Sequence, residues 1–190
     1  MNILTNKLPV EVNIDGVLYK INSDYRTSII FSKLIEDNEI TEDIIVKVLK
    51  LYYPVMPKDI EQAINIIFWF YTCGENQEES NSKSTISNKK VFDYEQDSRY
   101  IYSAFLSQYK IDLQDIKYLH WWKFKALFEA LDDNNEIIKI MQYRSMDLSK
   151  IKDKEQRNFY KKMQDTYKLK EKISEEDLQA LNDIKNLLFK

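Results

Sequence analysis

Residues 118–131 read YLHWWKFKALFEAL, and how that stretch is buried decides the fold. It is expected to be helix over about four turns. At about 100° per residue, Trp121, Phe124, Leu127, Phe128 and Leu131 fall on one arc and Leu119, Trp122, Ala126 and Ala130 on another. Lys125 and Glu129, four residues apart as an ion pair would be, separate the arcs on one side, and Lys123 marks the other. One helix face normally carries an apolar stripe opposite a polar face, but this helix carries two. It either has both faces in the core or has one in the core and one against a second chain. The larger arc of Trp121, Phe124 and Phe128 is assigned to the core. Trp122, beside small Ala126 and Ala130, is assigned to self-association or to a partner.

Outward from that helix, the chain has the punctuation of an α-protein. It holds 2 glycines and 3 prolines in 190 residues, with 44% hydrophobic and 31% charged content. So few turn residues favour long helices over a many-stranded sheet, and a chain of this size buries a proper core. The exception is VEVNIDGVLYKI, where Val10, Val12 and Ile14 alternate up to Asp15-Gly16 and Val17, Tyr19 and Ile21 alternate after it. That is a two-residue hairpin signature with Gly16 at positive φ.

Helices are then expected from near Asp24, from Thr41 to about Tyr52, and from Pro57 through the stripe Ile60, Ala63, Ile64, Ile67 and Tyr71. Ile66, Phe68, Trp69 and Phe70 cover the other sides of this third helix, which predicts burial centrally or between subunits. GENQEESNSKSTISNKK (74–90) has almost no apolar side chains and reads as a flexible polar loop within one fold. Further helices are expected near 94–109, over the aromatic stretch, at 134–142 and at 153–168, with a last one opened by Ser174. The prediction is a mainly α single domain, 1–190, of about six to eight helices. It comprises a hairpin (1–23), helical parts (24–73 and 91–190) and the loop near 75–90.

Catalytic chemistry finds little material. One histidine, His120, and one cysteine, Cys73, cannot make a His/Cys zinc site without several carboxylates, and no phosphate-cradling glycine motif is present. Asp112 or Asp115 could orient His120 as a base, but without an accompanying nucleophile it reads as a partly buried histidine at a helix start. Cys73 reads as a packing residue at the end of an apolar helix. LDDNNE (131–136) lacks the glycine and terminal glutamate of a calcium loop and reads as a capped helix connection. SEED (174–177) reads as a cap in the same way. No enzyme, metal or cofactor is expected.

The net charge of −3 provides no global field for nucleic acid or anionic lipid. The longest apolar run, INIIFWFYTC, is about half a membrane span, and the start of the chain lacks the pattern of a signal peptide. Residues 150–172 are locally basic, with Phe159, Tyr160 and Tyr167 interleaved. They read as a solvated amphipathic helix whose surface suits an acidic protein partner. Single-stranded nucleic acid is the lesser alternative, because Asp153, Glu155, Asp165 and Glu171 break up the patch.

YLHWWKFKALFEAL, YRSMDLSKIKDKEQRNFYKK (143–162) and FDYEQDSRYIYSAFLSQYKIDL (92–113) resemble the small proteins encoded beside the tape-measure gene in long-tailed phages and prophages of Gram-positive bacteria. The resemblance covers the hairpin and nearly everything from Phe92 to about Lys170. It implies a non-enzymatic tail assembly chaperone that coats the tape-measure protein in the host cytoplasm and is scarce in the virion. The tail-tube protein and a second copy are further candidate partners; neither membrane nor nucleic acid is expected. The alternatives are a structural tail component and a host-directed nucleic-acid-binding protein. Partner-contact candidates are Trp121, Trp122, Phe124 and Phe128, with Tyr143 and Arg144 at the edge. Core packing for the aromatics, and an intramolecular ion pair or helix C-cap for Arg144, are the competing assignments.

Overall fold

Strands Glu11–Ile14 (β1) and Val17–Lys20 (β2) pair antiparallel with Ile14 opposite Val17 and Glu11 opposite Lys20. The two linking residues, Asp15 and Gly16, both have positive φ, at 48° and 77°, the geometry whose twist matches the flanking strands. Asn13 Oδ1 steadies the turn by accepting from the Gly16 N–H at 3.0 Å. The alternation delivers Val12, Ile14 and Ile21 to the core and leaves Val10 and Val17 exposed. This computed structural model describes residues 2–75 and 90–170. Most of the polar stretch 74–90 and the helix expected from Ser174 lie outside the described residues.

Seven α-helices follow among the described residues, so the fold is mainly α. Helix α1 (Tyr25–Asp37) starts where Asp24 accepts from the Arg26 N–H, and α2 (Glu42–Tyr52) where Thr41 accepts from the Ile44 N–H. Both starts match the cap residues in the sequence. Helix α3 (Ile60–Tyr71) begins later than Pro57, because Asp59 is the cap and accepts from the Gln62 N–H at 2.9 Å. It is also less enclosed than its all-round apolar character predicts. Ala63, Ile67 and Phe70 are buried, whereas Ile60 and Phe68 stay exposed.

The helix expected over 94–109 is shorter and changes pitch. The Asp93 carboxylate accepts from the Glu95 and Gln96 N–H groups and holds a turn. Helix α4 then runs Ser98–Ala104, and Phe105–Tyr109 continues as one π-helical turn that stops at Lys110, φ 57°. The aromatic helix α5 is Trp121–Glu129, about two-thirds of the expected length. Residues 118–120 are drawn away from helix by pairing with the start of α1: Trp121 N–H donates to Ser23 O at 2.8 Å and Tyr25 N–H to Leu119 O at 2.9 Å. Helix α6 (Glu136–Ser145) follows the 131–136 connection, but without the expected side-chain cap: Asn135 stands at its N-cap and makes no cap hydrogen bond. A 3-10 turn, Leu148–Lys150, leads to α7 (Lys154–Thr166), capped by Asp153.

One cluster of buried side chains runs from Val12 in the hairpin to Ile137 in α6. Among the described residues no helix is long and apolar enough to cross a membrane.

Candidate partner-binding surface

The aromatic residues of α5 are core. Trp121 is 1% exposed and Trp122 3%, and their ring N–H groups donate to Tyr71 O at 2.8 Å and Phe70 O at 2.7 Å. Both acceptors lie at the C-terminal end of α3, where the last carbonyls of a helix have no partner within it. The two indoles therefore cap α3 from a distant segment. Gly74 makes room for the Trp122 ring: with φ 81°, any Cβ there would meet that ring at 3.2 Å. Phe124, fully buried, stacks between Tyr25 at 4.8 Å and Phe105 at 4.9 Å. Phe128 packs on Phe92 at 5.1 Å. The assignment of Trp122 to a partner is corrected. A buried indole must find an acceptor, and α3 supplies it, so both arcs of α5 face inward at their N-terminal ends. Ala126 and Ala130 stay exposed, and the Lys125–Glu129 pair forms at 3.9 Å.

His120 and Cys73 have structural surroundings. His120 Nδ1 accepts from the Trp122 N–H, making it the N-cap of α5. Its neutral form therefore carries the proton on Nε2, which donates to Pro9 O at 3.0 Å. Asp112 does not orient it; that carboxylate accepts from the Gln114 N–H and the Tyr102 hydroxyl. Burial pushes the Cys73 thiol up to about 11, away from the thiolate that a reactive cysteine needs.

Arg144 is also buried, and its partners are internal. It forms a two-pronged ion pair with Asp97 at 2.6 and 2.9 Å, and donates to Val91 O at 3.0 Å and Tyr167 O at 2.6 Å. This planar five-donor group thus ties α6, the 91–97 segment and the end of α7 together. Asp97 is the residue that sequence reasoning missed. It sits 47 positions from Arg144, and nothing local in EQDSRY distinguishes it from a capping acid.

Of the six candidates, Tyr143 alone keeps appreciable surface. Its ring is the hub of an aromatic group with Phe159 at 6.4 Å, Tyr160 at 6.2 Å and Tyr167 at 6.0 Å. From Met146 to Lys170 no side chain is fully buried, although the stretch includes Met146, Leu148, Ile151, Phe159, Tyr160, Met163, Tyr167 and Leu169. Phe159 is 50% exposed. Much of the attachment of this module is polar. Gln164 donates to Tyr143 O and Met146 O, the Tyr167 hydroxyl donates to Glu136, and the Gln96 side-chain amide donates to Lys170 O and accepts from the Lys170 N–H.

A family profile described as Bacteriophage Gp15 protein matches residues 4–169. The chain belongs to that bacteriophage family. The match takes in the hairpin, all seven described helices and the surface-lying module up to its last residues. No curated protein and no solved structure matches the chain.

Proposed function

We propose that this protein is a non-enzymatic tail assembly chaperone that binds the phage tape-measure protein and keeps it soluble in the host cytoplasm until the tail tube assembles around it. Family membership supports a phage role. The observation that carries the chaperone reading is the 146–170 module, which keeps eight apolar or aromatic side chains at or near the surface beside a core that is already filled. A surface that is aromatic, shallow and partly polar suits a client held by one helix face and later released. The environments of His120 and Cys73 fit a protein without catalysis, since no nucleophile, base and orienting group meet there.

Co-expression with the tape-measure protein of the same phage tests this reading. The expected outcome is a soluble complex that survives size-exclusion chromatography, with the chaperone scarce in purified virions by mass spectrometry. Insoluble tape-measure protein with no co-purification defeats the reading, and stoichiometric retention in virions makes the protein a structural tail component.

A further inference from the structure

A groove runs along one side of α1, between that helix and residues 90–95. It consists of two hollows of about 270 and 280 Å³, continuous because both are lined by Ser32, Glu36, Asp93 and Tyr94. Ile29 and Ile30 add apolar walls to the first, and Tyr71, Val91 and Phe92 to the second. Ile30 is 48% exposed, although its neighbours Phe31 and Ser32 are buried. Much of the rim charge is already matched, Lys33 by Glu95 and Lys90 by Glu36 and Asp93. An apolar trough between paired charges seats apolar side chains rather than a charged ligand. Along α1 its lining runs from Ile29 to Asp37, about 12 Å at the helical rise.

We propose that residues 174–190 of the same chain dock in this groove as an amphipathic helix. The inference does not depend on the chaperone reading. Lys170 is fastened at the end of the groove: its N–H donates to the Gln96 side-chain oxygen at 2.8 Å and its carbonyl accepts from the Gln96 amide at 3.0 Å. Glu95, next to Gln96, is a lining residue. Residues 171–173 can extend about 10 Å, which puts the groove within reach of Ser174. From there Leu178, Leu181, Ile184 and Leu188 fall within an arc of about 120°, an apolar stripe about 15 Å long. Glu175, Glu176 and Asp183 lie about 120° or more from its centre at Leu181. Asp177 lies inside the arc, but as the fourth residue of the S-x-x-D start it serves the N-terminal cap. Lys185, also inside it, is long enough to carry its ammonium to the acidic rim. So short a link holds the segment at an effective concentration on the order of millimolar, so a groove too shallow to retain a free peptide suffices for this one.

Amide hydrogen exchange on the full chain tests this, with a synthetic peptide of residues 171–190 as the unprotected reference. Amides of residues 178–188 are expected to exchange about tenfold more slowly in the chain than in the peptide. Leu181→Asp in the stripe and Ile30→Asp in the groove should each bring them to the peptide rate. Leu187→Asp, about 120° from the centre of the stripe, should leave them protected. Ile30→Lys repeats the groove variant with the opposite charge, and circular dichroism melting checks that each variant keeps its fold, as substitution at an exposed site should allow. Peptide-like exchange in the wild type overturns the proposal. So does protection that Leu181→Asp removes and both Ile30 variants leave intact, which puts the helix on another surface. Equal loss with Leu187→Asp overturns it as well, because the stripe then does not select the docked face. Protection that rises with protein concentration, together with a dimer in size-exclusion chromatography, assigns the groove to the same segment of a second copy and overturns docking within one chain.

Discussion

Helices α5 and α7 are both aromatic helices studded with lysine, yet α5 has four of its nine residues buried and α7 none of its thirteen. Composition accounts for part of the difference, with six apolar residues of nine in α5 against three of thirteen in α7. The rest lies in where the polar atoms go. The α5 indoles reach carbonyls of α3, some 50 residues away in sequence, and such long-range satisfaction requires the rings to be inside. Helix α7 is joined through Gln164, the Tyr167 backbone and the Tyr167 hydroxyl, which work at the rim of a fold. An aromatic helix whose ring N–H groups are satisfied by distant backbone is core. One secured by its own polar edge remains open to a partner.

The largest effect expected from this contrast is on α5. Phe124→Ala removes a ring stacked on both sides, and should destabilise the protein by about 3–5 kcal/mol in urea denaturation. A loss near 1 kcal/mol would mean that the stack collapses to fill the space, and would bring the two helices closer in kind.

Slightly smaller is the effect at the junction between the two regions. Arg144→Met leaves the Asp97 carboxylate buried without its cation, a change that costs about 3 kcal/mol. It also removes the donor to Tyr167 O, so amide hydrogen exchange across α7 should accelerate more than across α5. Asp97→Asn in the same chain should recover part of the loss, because the uncompensated charge is gone. Uniform acceleration over both helices would show that α7 is not a separable unit.

Much of this architecture is written locally. Asp24, Thr41 and Asp153 cap the helices they precede, Asp15-Gly16 turns the hairpin, and 131–136 links two helices. Each depends on residues within a turn of one another, which is why a sequence displays them. What a sequence conceals is set by distant partners. Residues 118–120 continue the helical pattern of α5, but the backbone of Ser23 and Tyr25 claims them for an extended bridge. Trp122 beside two alanines resembles an interface position, and the Phe70 carbonyl at the distant end of α3, which its ring N–H reaches, makes it core. Within the candidate surface, Tyr143 and the basic, aromatic character of 150–172 were legible. Its sparse apolar residues mark the stretch as solvated, and what sequence could not show is that its attachment runs through Gln164 and through Arg144 to the Tyr167 backbone.

Trp122→Phe sharpens the contrast more finely. The ring volume falls modestly and the hydrogen bond to Phe70 O is lost, so a cost of about 1–2 kcal/mol is expected. Partner capture by the folded variant should be unchanged, since this side chain has no surface to offer.

A gentler probe of the core side is pH. Burial holds the His120 pKa below its ordinary value of 6.5, with Lys123 adding to the effect and the Pro9 carbonyl opposing it. The folded state therefore prefers the neutral ring, and below pH 6.5 the unfolded chain binds the proton first. Stability from this residue is complete above 6.5 and declines as pH falls below it toward the lowered folded value. Protonation would also place a hydrogen on Nδ1 against the Trp122 N–H. His120→Asn, which can still cap the helix, should flatten the stability–pH slope in that window. An equally steep slope in the variant would put the titration elsewhere.

The smallest effect on stability is expected at Phe159, and there the comparison is most exposed to failure. The ring is half in solvent and, among the described aromatics, touches only Tyr143 and Tyr160, so Phe159→Ser removes little buried area and leaves the Asp153 cap and the Gln164 bonds in place. Its melting curve should match the wild type to within about 0.5 kcal/mol, as for a surface site. Capture of the tape-measure protein should nevertheless weaken by about 2 kcal/mol if the ring anchors a client helix. The Phe124 and Phe159 variants would then form opposite corners of one experiment, one losing stability and the other losing binding. If Phe159→Ser melts early, α7 is a fixed part of the body. If it melts normally and captures normally, the exposed ring is incidental, and the next surface to test is the pair Ile60 and Phe68 on α3, two further large side chains left in solvent.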